Sequence, residues 1–275
     1  MRTHLLLAIL LAVGLLAAER ALAFNPNDVA RLQAQRACPG CDLTGADLRQ
    51  ASLPSADLEG ADLTHARLEG ADLSEARLTW ARLFGANLAG GRLEGAKLES
   101  ANLETADLTA VHLVRAELKE ACLVRASLRQ ADLTGADLEW ADLEGADLAG
   151  AILDKAQLVA ANLKKVYAKG ARFQEADLHR ALLEKAFLGE ASFRAASLMR
   201  ANLEGAYLKA ADFQEASLQH ASLRRANCRK ADFRGADLYS ADLAAAEIDG
   251  ILLDRAKTRG AKMEDARGTP ASGGS

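Results

Sequence analysis

The residues best placed to do chemistry in this chain are its cysteines and histidines. Cys38 and Cys41 form Cys-Pro-Gly-Cys. A C-x-x-C pair can serve as a disulfide, a redox couple or half of a metal site. Haem attachment would need a histidine next, and position 42 is Asp. Zinc would need more ligands, and Cys122 and Cys228 lie far along the chain. A thioredoxin-like pair opens a helix in a βαβ setting, whereas this pair follows a short candidate helix. The remaining reading, a structural disulfide, fits an exported protein best. Apart from His4, the histidines are His65, His112, His179 and His220, spread along the chain. No Ser/His/Asp set, glycine-rich phosphate loop or paired-carboxylate cleft stands out, so no catalytic residue, metal or cofactor is indicated.

A second kind of chemistry lies in charge and aromatic spacing. Residues 41–150 carry twenty acidic and ten basic side chains, and residues 151–267 carry sixteen and twenty. The basic half holds Tyr167, Phe187 and Tyr207 at intervals of twenty, among Lys164, Lys165, Lys169, Lys185 and Lys209, followed by Arg224, Arg225, Arg229 and Lys230. Aromatic rings beside Lys and Arg suit a binding surface. The alternative is a stacked ladder that only stabilises the backbone, with solubilising charge around it.

Which backbone positions these residues is written in "ADLEGADLAGAILDKAQLVAANL", residues 141–163. Leu143, Leu148, Leu153, Leu158 and Leu163 fall at intervals of five. In an α-helix such residues would be about 140° apart and form no stripe. In a straight strand they would alternate between faces. They share one interior only if the chain turns a corner in every repeat, which is a solenoid. From Leu43 to Met263 every fifth position is Leu, Phe, Ile, Met or Cys, except Ala168 and Thr258. A small residue, mostly alanine, sits two positions earlier and faces the same way. The Asp or Asn between them faces out, and the two residues after Leu make the corner. Gly is frequent at the second corner residue, as in Gly45, Gly60 and Gly145, which suits positive φ. At Ala168 the inward residue shrinks while its partner grows to Val166, as close packing demands. Phe173, Phe193, Phe213 and Phe233 replace the inward Leu at a spacing of twenty, which points to four repeats per turn. In that register Cys41 and Cys228 face inward and Cys122 outward.

The repeat A-(D/N)-L-x-x resembles the pentapeptide-repeat family, from residue 41 to about 266. The resemblance implies an all-β solenoid, a right-handed quadrilateral β-helix with four repeats per coil. With ~4.8 Å between coils, about eleven coils make a rod of roughly 50 Å. Some members of the family resemble DNA in shape and charge and protect type II topoisomerases. The acidic half of this chain fits such mimicry and the basic half does not.

The ends read differently. Residues 1–23 have a basic start (Arg2, His4), an apolar run from Leu5 to Ala18, and Ala21-Leu22-Ala23 before Phe24. This is the pattern of a signal peptide cleaved between Ala23 and Phe24, implying a periplasmic or secreted protein. An uncleaved anchor is the alternative. In residues 24–40, Asn25 is placed to cap a helix begun by Pro26, with Asp28 in its first turn and Val29 and Leu32 on one face. Such a helix would cover the open end of the coil, an edge that otherwise invites aggregation. The repeat weakens after Leu253, and residues 267–275 read as a flexible tail.

A solenoid with a filled core has no obvious pocket, so the sequence favours a non-enzymatic rigid scaffold or protein-interaction module. Its partner is expected to be another protein or a second copy, bound at Tyr167, Phe187, Tyr207, Lys169 and Lys209. No nucleic acid, metal or membrane partner is expected beyond the leader. The alternatives are the DNA mimic, which an export signal disfavours, and a thiol redox accessory acting through Cys38 and Cys41.

Overall fold

The computed structural model describes residues 24–271. The expected leader and its cleavage site, and residues 272–275 of the expected tail, lie outside the described residues. From Ala37↔Asp57 to Glu247↔Arg267, the outward residue of each pentad pairs in parallel with the residue twenty positions on. Four pentads therefore close one coil, and each coil is the template for the next. Within this ladder Leu43 donates its N–H to the Asp62 carbonyl at 2.7 Å, and Asp62 donates to the Cys41 carbonyl at 2.8 Å.

The corner is a four-residue turn. Ala46 N–H donates to the Leu43 carbonyl at 3.0 Å, and the same Leu-to-Ala bond recurs along the rod. The second corner residue has positive φ whether it is Gly45 (69°), Gln50 (55°) or Trp80 (58°). Positive φ there and not at the preceding residue is the signature of a type II turn. Glycine is thus favoured at this corner but not required, and many corners hold larger residues. The outward Asp and Asn residues explain themselves at the same place. Asp62 Oδ1 accepts the N–H of Thr64 at 3.0 Å, and Asn162 Oδ1 that of Lys164 at 3.2 Å. Each caps the first corner residue with a side-chain bond two residues on.

The inward columns are sealed. Ala141, Leu143, Val166 and Ala168 are all fully buried, and no charged or polar side chain is buried among the described residues. One pentad shows volumes trading between neighbours: Val166 compensates for Ala168. Phe173, Phe193, Phe213 and Phe233 form a buried column with ring centroids 4.8–4.9 Å apart and planes within 5° of parallel.

Helix α1, Pro26–Gln35, precedes the first coil, with Asn25 accepting the Asn27 N–H at 3.0 Å. Leu32 is fully buried in the common core. Asn25 N–H donates to the Asp42 carbonyl at 3.1 Å, and Asp28 Oδ2 accepts the Asp42 N–H at 3.1 Å, so α1 is tied to the edge of the first coil. At the other end Leu253 and Met263 are only half-buried and Thr258 is exposed, as the weakened repeat suggests. Within the expected tail, residues 267–271 are still engaged by the last coil. Arg267 still pairs with Glu247, Thr269 accepts the Gly250 N–H at 2.8 Å, and Ala271 donates to Ile251 at 2.9 Å. The backbone ladder continues past the point where the sequence stops supplying apolar residues. No helix among the described residues is long and apolar enough to cross a membrane.

Candidate functional site

The cysteine pair follows directly from the end of α1, where Arg36 takes a left-handed φ of 51° and turns the chain into the first coil. Cys38 and Cys41 are buried, with Cα atoms 5.4 Å apart, a separation a disulfide spans. Asp28 is the third group nearby, its carboxylate within 4.8 Å of both sulfurs. That is one ligand short of a structural zinc set, and Asp28 already accepts the Asp42 N–H. Cys228 is fully buried and its thiol is pushed up to about 12 by burial, which makes it inert packing at neutral pH. Cys122 sits half-buried on an outward face. His65 and His220 each pack edge-on against a neighbouring ring, Phe84 and Tyr239, with centroids 5.6 Å apart.

The structure brings the aromatic residues together as the twenty-residue spacing requires. Tyr167, Phe187 and Tyr207 stand one coil apart on one face, 42%, 52% and 39% exposed. They do not form one continuous ladder. Tyr167 and Phe187 lie 6.3 Å apart with planes tilted by 42°, but Tyr207 turns aside and lies over Gly189. The result is a notch of about 230 Å³ lined by the three rings with Lys169, Gly189, Glu190, Lys209 and Ala210. Lys169 and Lys209 both reach it, as the sequence suggested.

The surrounding basic zone is less free than the sequence implies. Carboxylates from neighbouring coils hold most of it: Lys164–Glu184 at 3.5 Å, Lys165–Glu144 at 2.7 Å and Lys169–Glu190 at 3.4 Å. Arg224, Arg225 and Arg229 pair with Asp242, Glu204 and Asp249. Lys185, Lys209 and Lys230 make no ion pair with a described residue within 4.0 Å. The acidic half is likewise cross-linked: Arg67, Arg77 and Arg82 lie over Asp47, Asp57 and Asp62.

Sequence reasoning missed Gly189, Trp80 and Trp140. Gly189 stands at the first corner residue, where φ is not positive and glycine is not needed for the turn. That misplacement in the repeat is the signal that would have found it. The two tryptophans are 62% and 60% exposed at second corner positions with positive φ.

Comparison with known proteins agrees with this architecture. The family model described as pentapeptide repeats (8 copies) matches residues 41–79, 76–113, 112–150, 141–180, 176–214 and 211–247, and implies the right-handed quadrilateral β-helix. Among solved structures, the chain is similar to HetL, a pentapeptide repeat protein involved in heterocyst differentiation regulation from the cyanobacterium Nostoc sp. strain PCC 7120. The two are 32% identical over 89% of this chain and 99% of HetL, with a TM-score of 0.43. A trypsin-treated form of QnrB1, a plasmid-mediated fluoroquinolone resistance protein, is 17% identical over 66% of this chain and 89% of its own, with a TM-score of 0.49. A pentapeptide repeat protein from the Arabidopsis thaliana thylakoid lumen is 30% identical over 37% of this chain and 67% of its own, with a TM-score of 0.25. No curated protein matches the chain.

Proposed function

We propose that this chain, which belongs to the pentapeptide-repeat family, acts after export to the periplasm as a non-enzymatic, rigid interaction scaffold. The observation that carries this reading is the exposed group Tyr167, Phe187 and Tyr207 on a face of a rod whose interior is filled. Rings normally sequestered in a core stand here in water at fixed one-coil steps, so a partner gains apolar contact without first ordering a loop. The basic second half, with sixteen acidic and twenty basic side chains, disfavours a phosphate mimic, because it breaks the uniform negative charge along the rod that mimicry needs. Burial of Cys38 and Cys41 disfavours a thiol enzyme and supports a structural disulfide across the first corner, where Cys38 already donates its N–H to the Asp57 carbonyl.

Crosslinking in intact cells, followed by mass spectrometry of captured neighbours, tests the proposal. The triple variant Tyr167→Ser/Phe187→Ser/Tyr207→Ser is expected to lose the specific neighbours while accumulating in the same fraction as the parent. Identical capture by both proteins would remove this surface from consideration.

A further inference from the structure

We propose that the notch over Gly189 is a docking slot for an acidic, extended peptide that lies along the rod, presenting an apolar side chain to the rings and carboxylates to Lys209 and Lys185. This rests on the interaction surface proposed above and names the chemistry of its occupant.

The first observation is Gly189 itself. First corner residues elsewhere are Lys, Glu, Arg, Thr and the like. Gly189 has no positive φ that would call for glycine. What it provides is space: a Cβ there would meet Tyr207 Cε1 at 2.9 Å and Cδ1 at 3.3 Å. Contacts that close force the ring to shift. Glycine therefore lets Tyr207 lie down on the backbone instead of stacking on Phe187, and the space vacated is the notch. A strip evolved only to stabilise the coil gains nothing by breaking its own ladder.

The second observation is size. About 230 Å³ is below the roughly 300–1,000 Å³ typical of small-molecule pockets. It is room for a side chain. Along the rod, rings one coil apart repeat at ~4.8 Å, so Tyr167 and Tyr207 span roughly 10 Å, close to three residues of an extended peptide at about 3.3 Å each.

The third observation is charge. Of nine cations in this zone, six are neutralised by neighbouring coils, while Lys185, Lys209 and Lys230 make no ion pair with a described residue. Lys209 lines the notch, and Lys185 sits at the corner on the opposite side of the strip. Three free ammonium groups match a few carboxylates. They fall short of the roughly six to ten phosphate contacts on which nucleic-acid binding typically rests. A second copy of the chain, whose residues 41–150 carry twenty acidic and ten basic side chains, is the competing source that analytical ultracentrifugation distinguishes.

The test uses the purified exported protein and a fluorescein-labelled peptide, Glu-Phe-Glu-Glu-Phe-Glu, with Gln-Phe-Gln-Gln-Phe-Gln as the neutral control and an oligo-dT ten-mer as the polyanion control. Fluorescence anisotropy is expected to show the acidic peptide binding at least about tenfold tighter than the neutral one at low salt, with the gap closing near 0.5 M salt as screening predicts. Gly189→Ala is expected to weaken the acidic peptide at least about fivefold by lifting Tyr207, and the exposed Lys209→Gln about threefold, without change in the melting curve. Equal affinity for the two peptides, or full affinity in both variants, overturns the proposal. So does tighter binding of oligo-dT, or a dimer in analytical ultracentrifugation that excess peptide does not dissociate. If the peptide fails but the triple serine variant still loses its neighbours in cells, only the acidic-peptide chemistry falls and the surface stands.

Discussion

The buried phenylalanine column offers a direct test of how neighbouring coils stabilise each other. Phe193 and Phe213 each have a stacked ring on both sides, while Phe173 and Phe233 have one on a single side. All four are fully buried in the position that leucine fills elsewhere, so Phe→Leu is the mildest available change. Each aromatic pair contributes about 0.5–1.5 kcal/mol beyond area burial. Phe173→Leu and Phe233→Leu remove one pair each, whereas Phe193→Leu and Phe213→Leu remove two. The middle variants are therefore expected to cost about 0.5–1.5 kcal/mol more than the end variants. The double-mutant cycle separates this from lost volume. The adjacent pair Phe193/Phe213 is expected to couple by about 0.5–1.5 kcal/mol, and the skipped pair Phe173/Phe213, roughly 10 Å apart, by less than about 0.5 kcal/mol. Urea denaturation with m-values held equal is the assay, since repeat arrays can lose two-state behaviour. Equal costs at all four positions, with no difference between adjacent and skipped couplings, would refute stacking as a distinct contribution.

Other outcomes follow from the same geometry. Leu143→Asp, which buries an unpaired charge, is expected to abolish the cooperative melt, while Asp142→Ser costs no more than about 1 kcal/mol because serine can still accept the Glu144 N–H; equal melting temperatures would contradict the inward and outward assignment. Gly60→Ala meets no atom within 4 Å, so its cost reports left-handed backbone strain alone, about 1 kcal/mol by thermal melting, and Gly85→Ala, whose Cβ would fall 2.5 Å from the His65 ring, should cost more. Asp47, held down to about 2 by its hydrogen bond with Arg49, and Asp72, lowered by Ser74, contribute stability that is present above the unfolded value of 3.8 and lost as pH falls through their depressed values. Melting temperature should accordingly fall below about pH 4. Glu117 has the opposite sign: its pKa is raised by the hydrogen bond with Glu99, so its contribution is complete below 4.5 and lost as pH rises through the raised value. Glu117→Gln should melt higher than the parent at pH 7, with the gain vanishing near about pH 3. Titrating the melt of both proteins checks each sign.

Most of the architecture was legible because the repeat has no insertions. Once five residues must include a corner, the facing of Ala141, Asp142 and Leu143 follows, and the phenylalanines set the coil at twenty residues. The helix was legible from Asn25 and Pro26. Two features were harder to see. The extent of the final coil was misjudged because apolar spacing was read as the limit of the fold, while the ladder between Glu247 and Arg267 is made by backbone groups that any residue carries. The pairing of the lysines was not legible because it depends on which carboxylate stands one coil away, a matter of columns and rotamers.

Those columns show where the remaining information lies. In a rod with a twenty-residue period, every side chain has neighbours at plus and minus twenty, and departures from the repeat carry meaning only against them. Gly189 is a stray glycine until Tyr207, eighteen residues later, is laid across it. The Val166 and Ala168 exchange keeps the interior filled, whereas the Tyr207 site opens space on the surface. An irregularity that instead creates space on the surface, beside rings and unpaired lysines, is therefore better explained by something that occupies it than by packing.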